Sequence, residues 1–414
     1  MSRRVRASAL FYAITVSLLV AMVTGSSLLL AHHRSVETER WLALLRATSN
    51  AESAIHLALA TEGPLPPALD LFGEGRDTVQ LTSLPYGLFD RVIALARQGA
   101  RSARKEALVG LPSQAGPVLV LTAHNGPLHF CGDARIMGDA VVPGKDLRRG
   151  YIAGRPFSGE RFVNGAVSGE GTPAYALDRD LRERAGALCA MLPDPREVPW
   201  QGERMAPGAV ITPQDERLPV LQWTAGRVLT GSFRGPLVIR SVDTLVVDRS
   251  ARLSNVIVQA PFVDLSGAQC LQVFSTGGVR VRQDARLLHP SVLCVASARS
   301  AQGVPLVQVD SGAVLQGGVL ALRTPGSMTG PELRAARGAL IQGEVYCEGA
   351  VDVQGAVEGR VIGEQAVVHT SSSVHRGYLL DGTLAPDSAS AGLSFIRSTN
   401  AHPVILQWEG SVQH

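Results

Sequence analysis

Short apolar segments recur in the second half of the chain, with alanines at a constant spacing. Ala251, Ala268 and Ala285 lie at equal intervals, and the same interval separates Ala339 from Ala356. A rung of this length, roughly 17 residues, holds two or three short strands and cannot bury its own apolar face. Successive rungs must therefore stack, with backbone hydrogen bonds running from one rung to the next. The spacing predicts a parallel β-helix over residues 218–385.

Alternate positions around each alanine are mostly Val, Leu or Ile, which places them on one face of a strand. The predicted solenoid core consists of Val247, Ala251, Leu253, Ala268, Val281, Ala285, Leu287, Val309, Ala313, Leu315, Ala339 and Ala356. Glycines and small polar residues separate the apolar runs and suit corners with positive φ angles. The same texture fills residues 116–170, which we predict to be the first part of the β-helix. Residues 171–217 form an insertion with a helical stretch, LDRDLRERAGALCAML, and a Pro-rich loop.

The N-terminus begins with a basic leader, residues 1–6, followed by an uncharged stretch from Ala7 to Ala31. About 20 apolar residues span a bilayer as a helix, so residues 7–31 are predicted to be a transmembrane helix. The stretch exceeds the roughly 7–15 apolar residues of a cleaved secretory signal, although LLLAHH offers such a signal a cleavage site. The arginines of the leader predict a cytoplasmic N-terminus, with the rest of the chain outside.

Apolar residues continue at helical spacing beyond the membrane segment, and no helix breaker occurs before Gly63 and Pro64. This stripe consists of Trp41, Leu44, Leu45, Ala51, Ile55 and Leu59. Such spacing is typical of an amphipathic helix, so residues 32–62 are predicted to be a stalk helix continuous with the membrane helix. Residues 63–115 hold short apolar segments that indicate a small antiparallel sheet domain. Residues 386–414 are predicted to be a C-terminal cap on the solenoid.

The N-terminal region, RASALFYAITVSLLVAMVTGSSLLL followed by SNAESAIHLAL, is similar to that of minor type IV pilins and pseudopilins. Those proteins have a basic leader, a small residue, and an apolar helix that runs on into an amphipathic stalk. The resemblance ends at Leu59 and implies processing between Ala7 and Ser8. Ala7 stands where the family usually has Gly, and Tyr12 stands where it usually has Glu. The implied partners are similar subunits of a type IV pilus or a type II secretion-like machine, in the bacterial inner membrane.

Small residues in the membrane helix allow neighbouring helices to approach closely. We predict that helix packing uses Ala9, Ala13, Gly25 and Ser26. The predicted surroundings are the lipid bilayer for this helix and the periplasm for the C-terminal domain.

The repeat region also carries a resemblance. Its spacing and runs such as AVDVQGAVEGRVIGEQAVV resemble bactofilins, which are polymer-forming bacterial proteins with short stacked coils. The resemblance covers roughly residues 218–380 and implies a right-handed β-helix and self-association.

Residue patterns that would indicate an active site are scarce. The sequence contains no GxSxG motif, no P-loop and no GxGxxG that opens a helix after a strand. None of the five cysteines forms a CxxC motif, and His124, His129 and Cys131 could supply at most a partial metal site. The aspartates of the repeat do not recur on one face; these are Asp243, Asp248, Asp264, Asp284 and Asp310. We therefore predict no catalytic, cofactor or metal residues.

These observations favour a non-enzymatic, membrane-anchored structural or assembly subunit with an extracytoplasmic β-helix. A net charge of +3 is too mild to indicate nucleic-acid binding. Two alternatives stay open. One is an anchored β-helix that binds or cleaves envelope polysaccharide, and the other is a cell-envelope scaffold that polymerises through its solenoid.

Overall fold

The computed structural model describes residues 7–61, 68–72, 77–113, 115–169, 175, 177–199, 209–210, 217–296, 304–324, 326–387, 393–396, 402–408 and 412–413. The predicted leader, residues 1–6, lies outside these residues, as do the last two residues, 200 and 201, of the predicted Pro-rich loop PDPREVPWQ. The chain divides into two compact units. The first draws on Met1–Ser83, Val92–Ala107 and Trp408–His414, and the second on Leu84–Arg91 and Leu108–Gln407. The fold class is confirmed: a mainly β chain with one long N-terminal helix, a small antiparallel sheet and a parallel β-helix.

The first unit begins with one continuous helix, α1 (Ala7–Ala60). Its 54 residues rise about 80 Å at 1.5 Å per residue. The predicted membrane and stalk segments are therefore parts of a single helix, which ends just before Gly63 and Pro64.

The stalk part of α1 has a buried face composed mainly of alanine. Ala47, Ala51, Ala54 and Ile55 are fully buried. The amide of Asn50 donates to the Asp77 carboxylate at 3.3 Å. The predicted stripe was partly wrong, because Trp41 and Leu45 are exposed while the alanines face inward. Small side chains let the helix backbone approach its neighbours closely. The buried face is therefore the one that carries the alanines, and the larger apolar side chains lie outside it.

Four strands follow α1 and form an antiparallel sheet in the order β1-β2-β3-β4. They are β1 (Ala68–Asp70), β2 (Asp77–Tyr86), β3 (Phe89–Gln98) and β4 (Arg101–Pro112). The tight turn between β3 and β4 lies at Gly99, which has a positive φ of 57°.

The second unit is dominated by the solenoid. Before its helix the strands are β5 (Leu119–Leu121), β6 (Leu128–Cys131), β7 (Arg135–Ile136), β8 (Ala140–Val141), β9 (Leu147–Arg149), β10 (Tyr151–Ile152), β11 (Arg155–Pro156) and β12 (Val167–Ser168). The helix is α2 (Arg179–Cys189). After it come β13 (Glu197–Pro199), β14 (Ala209–Val210), β15 (Leu218–Trp223), β16 (Ser232–Ser241), β17 (Leu245–Val247), β18 (Arg252–Leu265), β19 (Ala268–Val281) and β20 (Arg286–Ala296).

The remaining solenoid strands are β21 (Leu306–Val309), β22 (Val314–Leu322), β23 (Glu332–Ala335), β24 (Leu340–Val353), β25 (Ala356–His369), β26 (Val374–Arg376), β27 (Tyr378–Leu380) and β28 (Thr383–Ala385). The C-terminal strands are β29 (Leu393–Ser394), β30 (Val404–Trp408) and β31 (Val412–Gln413). The predicted insertion thus contains the expected helix, but β13 and β14 in the same segment pair in parallel with solenoid strands.

The stacking order of the rungs differs from their order in the chain. Strands β16, β18, β19, β20, β22, β24 and β25 pair successively in parallel. β25 then pairs with β5, so that Val361 lies opposite Leu119. Residues 116–170 were predicted as the first part of the solenoid, yet they stack on its last rung. Helix α2 contacts β18, β19 and β20 and runs beside the solenoid on the way to the other end.

The C-terminal segment does not cap the solenoid in the described residues. β29 and β31 pair antiparallel with β4, through Leu393 opposite Pro112 and Val412 opposite Arg104, and β30 also pairs with β4. The segment therefore completes the small sheet. Without these strands the edge of β4 would leave a row of backbone donors and acceptors unpaired, and the C-terminal strands satisfy it.

The register of the rungs corrects the predicted core at two positions. Ten of the twelve predicted residues are buried, whereas Ala268 and Ala356 are half-buried, and their neighbours Gln269 and Val357 occupy the interior instead. Ser254 pairs with Cys270, one residue short of the regular step, and Gln269 pairs with Leu287, one residue beyond it. The regular step is thus an average, because bulges at the corners insert or remove a residue.

The two largest buried apolar clusters of the second unit lie on either side of one solenoid face. One fills the inside of the solenoid from end to end. The other lies on the outside of one solenoid face, where Phe274, Cys294 and Leu320 pack with the α2 residues Ala185 and Cys189. This face is therefore buried on both sides, which explains why its strands read as nearly continuous apolar runs.

Candidate assembly surface

The first half of α1 exposes apolar side chains around its whole circumference. Every residue from 9 to 30 is exposed, including Phe11 at 70% and Leu28 at 72%. An 18-residue window of this helix has a mean hydropathy of 2.1 and is 0% buried. Such a surface is unfavourable in water, and about 20 apolar residues cross a bilayer. This half of α1 is a candidate membrane anchor, and a signal sequence has the same character.

The side chains that were predicted to pack between helices lie at two positions around α1. Ala9, Ala13 and Gly25 fall on one stripe of small residues, inclined to the helix axis, which Ser17 and Ala21 complete at four-residue intervals. A Cβ placed on Gly25 would meet no atom within 4 Å. Ser26 lies nine residues after Ser17, about 180° round the helix from it at about 100° per residue. The Ser26 hydroxyl donates to the Met22 carbonyl at 2.7 Å.

The predicted processing bond, between Ala7 and Ser8, lies in the first turn of α1. The side chains of both residues lie outside the described part of the chain. Processing at this bond stays a prediction.

An ion pair and ring contacts bind the stalk half of α1 to strands of the same unit. Lys105 on β4 forms an ion pair with Glu52 at 2.5 Å. The rings of His56 and Trp408 form an edge-to-face contact, with their centroids 5.8 Å apart. The Lys105 ammonium lies 6.0 Å from the centroid of the Trp408 ring. A stretch of α1 that is anchored at several points cannot swing freely about the sheet. The first half of α1 is therefore the free end of a stiff helix.

The outer side of the solenoid contains a charged cluster that was not predicted from the sequence. His369 lies between two carboxylates, with Nδ1 3.1 Å from Asp352 and Nε2 3.0 Å from Glu332. Arg334 lies beside the same ring, 3.2 Å from Nε2, and 2.9 Å from Glu332. Asp352 and His369 are 17 residues apart, so the rung spacing could have brought this pair to notice. Each carboxylate has a positively charged or hydrogen-bonding partner. The four side chains therefore form a structural network on this face.

His124, His129 and Cys131, which could at most have supplied part of a metal site, have other surroundings in the structure. His129 stacks on Tyr378 with ring centroids 4.6 Å apart. Burial, followed by the charge of Asp381, raises the pKa of the Cys131 thiol to about 11, which keeps it protonated and a poor ligand. Burial also lowers the pKa of His124. Within the described residues, no three His, Cys, Asp or Glu side chains are arranged to hold a metal ion.

The aspartates that were considered for carbohydrate chemistry lie in ion pairs or turns. Asp264 accepts two bonds of 2.6 Å from the Arg282 guanidinium, and Asp310 accepts one of 2.8 Å from Arg280. Asp248 accepts from the Ser250 hydroxyl and backbone N–H in a tight turn. Glycoside chemistry uses a pair of carboxyl groups that flank the scissile bond, with one of them protonated. The described contacts use these aspartates to hold neighbouring rungs together or to close a turn.

One buried carboxylate of the solenoid accepts hydrogen bonds from the C-terminal segment. Glu344 accepts a bond of 2.8 Å from the Phe395 backbone N–H and one of 2.9 Å from the Ser394 hydroxyl. Arg360 supplies the nearest charge, at 3.7 Å. Burial raises the pKa of Glu344, because desolvation outweighs these favourable contacts. Phe395 is buried beside this carboxylate.

No protein-family model and no curated protein matches the chain. Among solved structures, the competence-associated pilin ComZ from Thermus thermophilus is 10% identical, with a TM-score of 0.24 over 90% of this chain and 98% of its own. An ice binding protein from an Antarctic bacterium, Flavobacteriaceae, is 12% identical, with a TM-score of 0.25 over 67% of this chain. The match spans only 50% of the length of that protein.

The DUF3494 domain of Shewanella frigidimarina ice-binding protein_1 is 13% identical, with a TM-score of 0.18 over 68% of this chain and 99% of its own. These TM-scores are too low to assign the chain to the family of any of the three proteins. The resemblance of the repeat to bactofilins stays a prediction, as does the orientation of α1 in a membrane.

Proposed function

We propose that this chain is a membrane-anchored, non-enzymatic assembly subunit of the pilin-like kind. Its N-terminal helix packs with similar helices in the bacterial inner membrane, and its β-helix lies in the periplasm. The observation that supports this most is α1, a single 54-residue helix with an apolar free half and a buried stalk half. The partners are similar subunits of a type IV pilus or a type II secretion-like machine.

Continuity of α1 is the physical basis of the proposal. A tether needs only to cross the bilayer, and a flexible linker after residue 31 would serve that purpose. In this chain the same helix continues to Ala60 and is fixed to the sheet by Asn50, Glu52 and His56. A stiff connection of this kind transmits the position of one helix in a bundle to the folded domain that it carries.

The stripe of small residues gives the proposed contact its chemistry. In lipid, helices associate through close van der Waals packing, because lipid tails are as apolar as leucine. Small residues at four-residue intervals let two inclined helices bring their backbones together. The stripe consists of Ala9, Ala13, Ser17, Ala21 and Gly25, and the side opposite Ser17 carries larger residues such as Leu19 and Met22.

The polymerising-scaffold alternative needs a solenoid end that can receive another copy. At the end formed by β12, the terminal rung carries Phe162, which stacks on Phe130 at 4.9 Å and lies 4.9 Å from Phe157. Arg149 lies 5.5 Å from the Phe157 centroid. An aromatic plug covered by a cation closes the interior at this end, which favours a terminated solenoid over a growing one.

Cysteine cross-linking in native membranes tests the proposal. Ser17→Cys places a thiol in the middle of the small-residue stripe, and Leu19→Cys places one at nearly the same depth on the other side, about 200° away. With a membrane-permeant oxidant, we expect a disulfide-linked dimer from Ser17→Cys and little from Leu19→Cys. Retention of the protein in membranes after alkaline extraction, without cross-linking at Ser17, would refute lateral packing, and release would refute the anchor.

A further inference from the structure

Two buried cysteines meet where α2 docks on the solenoid. Cys189 is the last residue of α2, and Cys294 lies in β20. Their Sγ atoms are 3.5 Å apart, and the Cys189 sulfur is also 3.7 Å from the Cys294 carbonyl oxygen. Both side chains are shielded from solvent, at 1% and 0% exposure. The contact joins residues that are 105 positions apart in the chain.

The surroundings hold this pair in place. The α2 carbonyl of Leu188 accepts a bond of 3.0 Å from the Gln259 amide. One turn or more earlier on the same helix, Arg182 forms an ion pair with Glu348. These contacts fix the end of α2 on the solenoid face. The two sulfurs are therefore held next to each other by a helix and a strand, and not by a loop. The sulfurs of Cys270 and Cys347 lie instead against the carbonyl oxygens of other residues.

We propose that Cys189 and Cys294 form a disulfide bond that joins α2 to the solenoid in the mature protein. The proposal rests on the proposed location outside the cytoplasm, where disulfides form and persist. Each thiol loses one hydrogen, and one S–S bond forms. The two electrons and two protons pass to a disulfide-bearing oxidoreductase of the cell envelope, whose own disulfide becomes a dithiol. The sulfurs need to approach by about 1.5 Å to reach the bonding distance of about 2.05 Å.

The environment of the pair also sets the order of events. Burial raises the pKa of Cys294 well above its usual range, and the neighbouring Cys189 thiol adds to this effect. The thiolate is the reactive form in disulfide exchange, so the docked pair is protected from attack. Oxidation therefore takes place while α2 is still closing over β20. Once formed, the bond is buried and shielded from external thiols.

The cross-link would matter because of where α2 lies in the topology. Strands β13 to β19 lie between the two cysteines in the chain. A bond between Cys189 and Cys294 closes this whole segment into a loop and limits the freedom of the unfolded chain. It also secures the helix through which the chain passes along the outside of the solenoid.

Peptide mapping of the full-length native protein tests the bond directly. The protein is extracted from its own membranes into denaturant with an alkylating agent and digested with trypsin without reduction. We expect the peptide AGALCAMLPDPR (185–196) linked to LLHPSVLCVASAR (287–299), and alkylated Cys131, Cys270 and Cys347. Recovery of both named peptides in alkylated form would overturn the proposal.

A second measurement covers the case in which a variant folds poorly. For the wild-type chain, we expect a reducing agent to lower the urea midpoint of unfolding. Cys294→Ser should unfold at the lower midpoint with or without reductant. The matched control, Cys270→Ser, should keep the reductant-dependent shift. An unchanged wild-type midpoint under reduction would count against the bond, even if Cys294→Ser could not be purified.

Protease accessibility in spheroplasts separates the failure of this proposal from that of the proposed function. A chain digested from outside, with free thiols at Cys189 and Cys294, refutes the bond and leaves the assembly proposal intact. A chain protected inside the cell, with the two peptides linked, supports the bond and refutes the proposed location. A protected chain with free thiols refutes both.

Discussion

Replacement of Gly343 by alanine is expected to destabilise the solenoid strongly, because this residue lies in a stacked corner with no room for a side chain. Gly343 has a φ of 141°, a conformation that L side chains rarely adopt. A Cβ on this residue would lie 2.8 Å from the carbonyl carbon of Gly317 in the preceding rung, and closer still to its oxygen. Gly359 in the next rung repeats the arrangement, because a Cβ placed on it would lie 2.7 Å from the Gly343 carbonyl carbon. The clashing atoms are backbone atoms and cannot rotate away.

The expected cost of Gly343→Ala follows from two contributions. The backbone conformation costs on the order of 1–3 kcal/mol for a residue other than glycine. Displacement of the packed carbonyl costs about 1–3 kcal/mol more, as overpacking does elsewhere. The sum is about 2–6 kcal/mol, which is a large fraction of the roughly 5–15 kcal/mol by which domains are stable.

Two matched glycine variants separate these contributions. Gly226 has a positive φ of 74° but open space around it, so Gly226→Ala should cost only the conformational part, about 1–2 kcal/mol. Gly186 lies inside α2 with nothing within 4 Å, so Gly186→Ala should stabilise the protein by up to about 1 kcal/mol. The measurement is urea unfolding of the full-length protein in detergent, followed by far-ultraviolet circular dichroism. Equal losses for Gly343→Ala and Gly226→Ala would refute the steric argument.

Two further predictions concern buried polar side chains. The raised pKa of Glu344 means that the folded state holds this proton more tightly than the unfolded state, so its contribution is lost as pH rises above 4.5 through the folded pKa. Glu344→Gln should therefore gain stability relative to wild type as pH rises, and a pH-independent difference in unfolding free energy would contradict this. Gln269 accepts from the Leu253 N–H at 2.7 Å and donates to the Ser266 oxygen at 3.1 Å. Gln269→Leu should cost about 3 kcal/mol in urea unfolding, because each orphaned backbone group costs about 1–3 kcal/mol; an unchanged midpoint would contradict it.

Local pattern was sufficient to predict the kinds of structure in this chain. The uncharged stretch and the stripe behind it predicted a helix, and alternation of small apolar residues with glycine predicted stacked strands. Both patterns depend on residues that are close in sequence, and the fold class was confirmed for that reason. The position of Gln269 was beyond such reasoning. A polar residue in the core is tolerated there because a bulge leaves backbone groups that its amide satisfies.

The candidate surface divides in the same way. The apolar character of α1 and its small residues are visible in the sequence, and so is the helical spacing that puts Ser17 on their stripe. The burial of Ala47 and Ala51 in place of Trp41 depended on which strands approach the helix. The meeting of Cys189 with Cys294 likewise required the docking of α2, since nothing near either residue indicates the other.

The sequence by itself determined that the first helix is apolar on all sides and that the rungs must stack, because a rung with one apolar face has nowhere else to bury it. Only the tertiary structure decided which rung stacks on which. The pairing of Val361 with Leu119 joins distant parts of the chain through backbone hydrogen bonds. The pairing of β29 and β31 with β4 does the same for the C-terminal segment. Backbone groups are alike at every residue, so such pairings leave no pattern in the sequence from which they could be predicted.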